Sequence, residues 1–114
     1  GDHGLLQIVL TNLLSNAVKF QKKFPGHQPF IKVSTHAAGE KLLIEIEDNG
    51  EGIKPEMQGR IFDMFYRGTE NAKGSGLGLY IAQEAAARIQ GKISVKSEYG
   101  KGSVFTIELK TEAN

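Results

Sequence analysis

From Leu5 to Phe20 the chain reads LLQIVLTNLLSNAVKF, free of glycine and proline, with Leu6, Leu10, Leu13 and Ala17 recurring at the spacing of one helical face. That period predicts a helix over 5–20. Asn12, Asn16 and Lys19 group together on a flank of the apolar stripe. The next segment, KKFPGHQP (22–29), holds two prolines and a glycine and reads as a loop. FIKVSTHA (30–37) and LLIEIED (42–48) alternate with a period of two, and the short glycine-containing join AAGEK predicts an antiparallel pair. From Asn49 to about Gly76 the periodicity dissolves, apart from a short helical patch around PEMQGRIFDMF. Irregular stretches of that length inside a compact domain are as a rule functional or mobile. GLGLYIAQEAAARIQG restores the helical period through Leu79, Ala82, Ala86 and Ile89, with Gly91 where a C-terminal cap belongs. KISVKSEYGKGSVFTIELK closes the chain with two alternating strands around a Tyr-Gly-Lys-Gly turn, the pattern of a hairpin. Helix, strand pair, long loop, helix and hairpin, without repeated βαβ units, predict an α+β two-layer sandwich.

Composition narrows the function classes. At 114 residues the chain builds one core, so residues 1–114 are expected to be a single domain. Lys and Arg total 14 against 13 Asp and Glu, a net charge of +1, which argues against a general nucleic-acid binder with its basic face. No cysteine is present, so disulfides, thiolate chemistry and cysteine-based zinc sites are excluded. His3, His27 and His36 stand at unrelated spacings and do not outline a metal site. No run approaches ~18 apolar residues, and GDHGLLQIVL lacks the basic start and cleavage site of a signal peptide. The expectation is a cytoplasmic domain without direct membrane contact. The one excess is glycine, 14 residues where about 7% is average.

Three short segments could carry chemistry. Asn12 and Asn16 would present hard amide oxygens suited to Mg²⁺, with Lys19 a turn further on for a phosphate; the plain alternative is a solvated helix face. EDNGEGI (47–53) puts the carboxylate of Asp48 at a strand tip, followed by Gly50 and Gly52, which let backbone pass close to a flat ligand or simply make a turn. KGSGLGLYIA (73–82) spaces Gly74, Gly76 and Gly78 by two before a helix, where backbone N–H groups can hold an anion. Neither a dinucleotide-binding fingerprint nor a Walker A loop fits these glycines.

In this order NLLSNAVKF, DNGEGI, IFDMFYRG and GSGLGLYIA resemble the N, G1, F and G2 boxes of the ATP-binding catalytic domain of sensor histidine kinases, within the Bergerat-fold superfamily. The resemblance runs from Leu5 to Leu109. It implies a mixed, mostly antiparallel sheet packed against about three helices, with a mobile ATP lid from about Lys54 to Ser75. ATP and Mg²⁺ are the implied cofactors. Asn16 would be the principal Mg²⁺ ligand, Asn12 would support it, and Lys19 would touch the phosphates. Phe20 takes the aromatic position beside adenine, and Asp48 would accept a hydrogen bond from the adenine amine. Gly50 and Gly52 would make room for the base, with Ile53 and Leu79 as apolar wall. Phe62 and Phe65 would anchor the lid or belong to the core, and Arg67 would reach the γ-phosphate. The backbone of Gly74, Ser75, Gly76, Leu77 and Gly78 would seat the triphosphate. A single Gly91 stands where many members have two glycines.

Hydrolysing members of the superfamily place a glutamate where this chain has Asn12, and an amide takes no proton from water at pH 7. Transfer of phosphate to a histidine fits better, because the acceptor brings its own nucleophile. None of the three histidines has the H-E-x-R context of such an acceptor. The implied partners are therefore a phosphoacceptor-histidine dimerisation domain of the same protein and the receiver domain of a response regulator, with this chain a fragment of something longer. A nucleotide-responsive docking module and an anti-sigma-type serine kinase are the alternatives.

Overall fold

The computed structural model describes residues 3–63 and 78–110. Among the described residues seven elements follow in order: α1 (His3–Lys19), β1 (Ile31–Ala38), β2 (Lys41–Asp48), α2 (Pro55–Gln58), α3 (Gly78–Arg88), β3 (Gly91–Glu98) and β4 (Gly102–Lys110). The strands form one sheet in the order β1-β2-β4-β3. All three pairings described are antiparallel, within the mostly antiparallel sheet expected. Each outer pair is a local hairpin, and the central β2–β4 pairing joins the two hairpins side by side. At the first turn Gly39 has φ +63°, the positive value that the first central residue of a two-residue hairpin turn requires.

Alternation decides which face of the sheet is covered. Ile44, Ile46 and Asp48 on β2, Ser103, Phe105 and Ile107 on β4 and Ile93 on β3 are buried on one face. The opposite face carries a polar ladder in which His36 meets Glu45 at 2.7 Å and Glu108 lies between Lys41 and Lys92. These exposed pairs contribute little to stability.

The helical layer is α1 against α3, set on β2 and β3. On α1 the fully buried line is Val9, Leu13 and Ala17. The stripe is thus rotated from the expected one: Val9 takes the deepest position, and Leu6 and Leu10 are half-buried beside it. A β-branched residue fits there because α3 faces the core with Ala82, Ala85 and Ala86, all small. Lys19 stands in the last turn of α1, where a cation complements the helix dipole. α2 starts with Pro55 in its first turn, a position where the missing N–H is harmless.

The end of α3 differs from expectation. Gly91 is not the cap; it opens β3, while Gln90 takes the left-handed conformation with φ +59°. Glycine at 91 has a packing cause instead, since a Cβ there would lie 2.7 Å from Leu109 Cδ2 and 2.8 Å from Glu108 O.

Candidate nucleotide-binding site

Asp48 continues the buried face of β2 past its apolar residues, so the register that buries Ile44 and Ile46 buries a carboxylate with them. It is 8% exposed. Its Oδ1 accepts the Gly50 N–H at 2.8 Å. Burial pushes the Asp48 carboxyl above the usual carboxylate range, the N–H groups of Gly50 and Ser103 pull it back, and neighbouring Glu47 adds to the rise. Among the described residues, the donors that reach this carboxylate are those two backbone N–H groups, and a carboxylate can accept more than two hydrogen bonds.

The loop after Asp48 is tied on three sides. Asn49 accepts the Phe30 N–H at 2.9 Å and donates to Gln28 O at 3.0 Å. Glu51 N–H donates to Phe20 O at 2.9 Å, and Glu51 O accepts from Gly100 N–H at 2.7 Å. Backbone from α1's end and from the β3–β4 turn therefore presses on the loop. A Cβ at Gly50 would collide with Phe20 O, and one at Gly52, where φ is +74°, would collide with Glu98 O. Both glycines thus have a cause inside the protein, in addition to any approach of a flat ligand.

Ile53 is held at both ends: its N–H donates to Ser97 Oγ at 2.7 Å, and its carbonyl accepts from Gln58 Nε2 at 3.0 Å. Ser97 Oγ also lies 2.9 Å from Gly102 O and 2.8 Å from Ser103 Oγ. Ser103 faces Asp48 directly in the β2–β4 register. Sequence reasoning passed over Ser97, Ser103 and Gln58. The available signal was strand parity, since Ser97 follows Ile93 and Val95 on the inward side and Ser103 precedes Phe105 and Ile107 there.

At the other end of the site, Asn12 donates its amide N–H to Ile8 O within α1 at 2.8 Å. That leaves Oδ1 as its outward group, and a Cβ on Gly78 at the start of α3 would lie 3.3 Å from it. The two helices therefore bring Asn12 and Gly78 together. Asn16, Phe20, Ile53 and Leu79 are half-buried, and Lys19 is exposed. Phe62 lies on the core, edge-on to Phe105 at 6.3 Å between ring centres. Phe65, Arg67, Gly74, Ser75, Gly76 and Leu77 lie outside the described residues. Among the described residues no three of His, Cys, Asp and Glu cluster as metal ligands.

Residues 1–113 match the family described as histidine kinase-, DNA gyrase B- and HSP90-like ATPases. The chain belongs to that family. This ATPase-family domain is 42% identical over 109 residues to the histidine protein kinase SaeS of Staphylococcus epidermidis, covering 92% of this chain and 30% of that protein. Identity to SaeS of Staphylococcus aureus is 44%, over 91% of this chain and 30% of that protein. The domain thus spans about 30% of the length of the curated relatives it matches. Among solved structures it superposes on the mycobacterial sensor histidine kinase MprB with a TM-score of 0.84 at 26% identity, over all of this chain and 77% of that one. Full-length ShkA, solved in complex with AMPPNP, gives 0.82 at 30% identity, over 100% of this chain and 23% of that one. The catalytic domain of histidine kinase ThkA gives 0.80 at 29% identity, over 98% and 71%. The α+β fold and the histidine-kinase resemblance are both upheld. No described helix is long and apolar enough to cross a membrane.

Proposed function

We propose that this domain binds Mg-ATP and presents the γ-phosphate to a histidine on a separate dimerisation domain, as the catalytic part of a cytoplasmic two-component kinase that signals through a response regulator. The observation carrying this reading is Asp48, a buried carboxylate with acceptor capacity beyond its two backbone donors, at the start of the loop that Phe20 and Ile53 border. Such an acceptor suits the exocyclic amine of adenine and opposes the carbonyl oxygen that guanine carries there.

The opposite end of the site suits phosphates. Asn12 and Phe20 are eight residues apart, about 12 Å along a helix axis, so a ligand touching both ends is elongated. Asn16, aided by Asn12 Oδ1, would hold Mg²⁺, and Lys19 would meet the phosphate oxygens. A metal that keeps water and phosphate ligands needs only one or two protein oxygens, which fits a donor set of amides without a carboxylate cluster. When bound, the ion would neutralise charge on the phosphates. Arg67 and the backbone of Gly74, Ser75, Gly76, Leu77 and Gly78 would complete the phosphate contacts. Asn12, with one amide N–H turned to Ile8 O, presents a neutral amide that cannot act as a base for water. That favours transfer to an acceptor with its own nucleophile, and the histidine-kinase relatives favour it over a docking module or a serine kinase.

Calorimetric titration with AMPPNP, with and without Mg²⁺, tests the reading. Saturable, Mg²⁺-enhanced binding supports it, and no heat at millimolar nucleotide refutes it.

A further inference from the structure

Ser97 is the junction of a hydrogen-bonded chain that ends beside Asp48. A serine hydroxyl has one proton and two lone pairs. Ile53 N–H can only donate to Ser97 Oγ, and Gly102 O can only accept from it. The Ser97 proton therefore goes to Gly102, and one lone pair takes the Ile53 N–H. The remaining lone pair is left for Ser103, 2.8 Å away, which must be the donor. Its only proton is thereby turned from Asp48, although Ser103 stands directly opposite that residue. Side chains so paired have Cβ atoms about 5 Å apart, and the Ser103 backbone N–H already reaches the carboxylate. At that spacing a rotation of the Ser103 hydroxyl away from Ser97 brings it toward the same carboxylate.

We propose that Ser97 is a positioning residue for base recognition: by taking the Ser103 proton it keeps the Asp48 carboxylate short of a donor, so that the carboxylate accepts one from the amine of the base. This rests on the reading of Asp48 as the base acceptor. Ser97 at the same time fixes Ile53, a wall of the same pocket, through its N–H.

The test is AMPPNP titration of the 114-residue chain. Unaltered protein and Asp48→Ala come first: binding that Asp48→Ala weakens establishes the underlying reading, and otherwise that reading fails by itself. Ser97→Ala is expected to weaken binding about five- to tenfold, the scale of one hydrogen bond. Adding Ser103→Ala to Ser97→Ala removes the competing proton and should bring affinity back to within about threefold of the unaltered chain. A merely structural role would make the second deletion neutral or harmful. Unchanged affinity in Ser97→Ala, or no recovery in the double variant, overturns the proposal. If Ser97→Ala does not fold, neutron diffraction of the unaltered protein decides: a Ser103 deuteron directed at Ser97 supports the proposal, and one directed at Asp48 overturns it.

Discussion

Gly52→Ala separates two causes for one glycine. If residue 52 is glycine only so that a base can lie against it, alanine harms nucleotide binding and leaves the empty protein as stable as before. The geometry says otherwise. Backbone at Gly52 has φ +74°, and a Cβ there would collide with Glu98 O and sit 2.9 Å from both Glu98 C and Tyr99 Cα. The left-handed conformation alone costs an alanine about 1–2 kcal/mol. Relieving the overlap means pushing the β3–β4 turn away, an overpacking effect of about 1–3 kcal/mol. That shift also endangers the 2.7 Å bond from Gly100 N–H to Glu51 O. The sum is about 2–5 kcal/mol, from a total expected near 5–15 kcal/mol for a domain. Urea denaturation without nucleotide should show that loss, and the melting temperature should fall by about 4 °C per kcal/mol. A loss below about 1 kcal/mol in the empty protein would refute the packing argument.

Asp48→Asn should weaken AMPPNP binding about three- to tenfold, because the amide oxygen still accepts the adenine amine but without the charge that roughly doubles such a bond. The same change bears on stability. Burial holds the Asp48 carboxyl above its ordinary value of 3.8, so the folded state binds the proton more tightly than the unfolded one. The group's contribution is then fully present below 3.8 and is lost as pH rises through the raised value. Asparagine has no such loss, so the stability of Asp48→Asn relative to the unaltered chain should increase from pH 3 to pH 7; urea midpoints that keep a constant difference would contradict the burial account. Gln90→Gly should raise stability by up to about 1 kcal/mol, because glycine adopts φ +59° freely and the gain exceeds its chain-entropy penalty. A lower melting temperature would show that the Gln90 side chain stabilises in some other way. Asn16→Ala should abolish the Mg²⁺-dependent part of AMPPNP affinity and leave the metal-free part within about twofold; equal loss with and without Mg²⁺ would argue against the ligand assignment.

Local patterns account for what was readable in the chain. Two-residue alternation around glycine turns marks both hairpins, and a Leu-rich run without breakers marks α1. Rotation of α1 was not readable, because Val9 against Leu10 depends on the alanines that α3 presents across the core. Gln90 in the left-handed region was hidden by Gly91 beside it, the residue that ordinarily takes the cap. At the site, Asp48 stood out as a carboxylate before Gly-x-Gly. Ser97 and Ser103 did not: strand parity puts both on the inward side, but only the β2–β4 register brings Ser103 opposite Asp48. Gly50 and Gly52 were noticed for their flexibility, but the backbone they make room for comes from α1 and the distant β3–β4 turn.

The β2–β4 pairing has a kinetic side. Asp48 and Ser103 come from hairpins separated by roughly half the chain, so neither hairpin contains the proposed base pocket alone. Closing a loop of that length is paid in chain entropy before any contact repays it, which makes long-range strand pairing a slow step in folding. A nucleotide bound there stabilises only chains in which that pairing exists, by about 2.7 kcal/mol at a hundred times its dissociation constant. Amide protection gained on adding AMPPNP should therefore spread along β2 and β4 together, including strand positions far from the ligand.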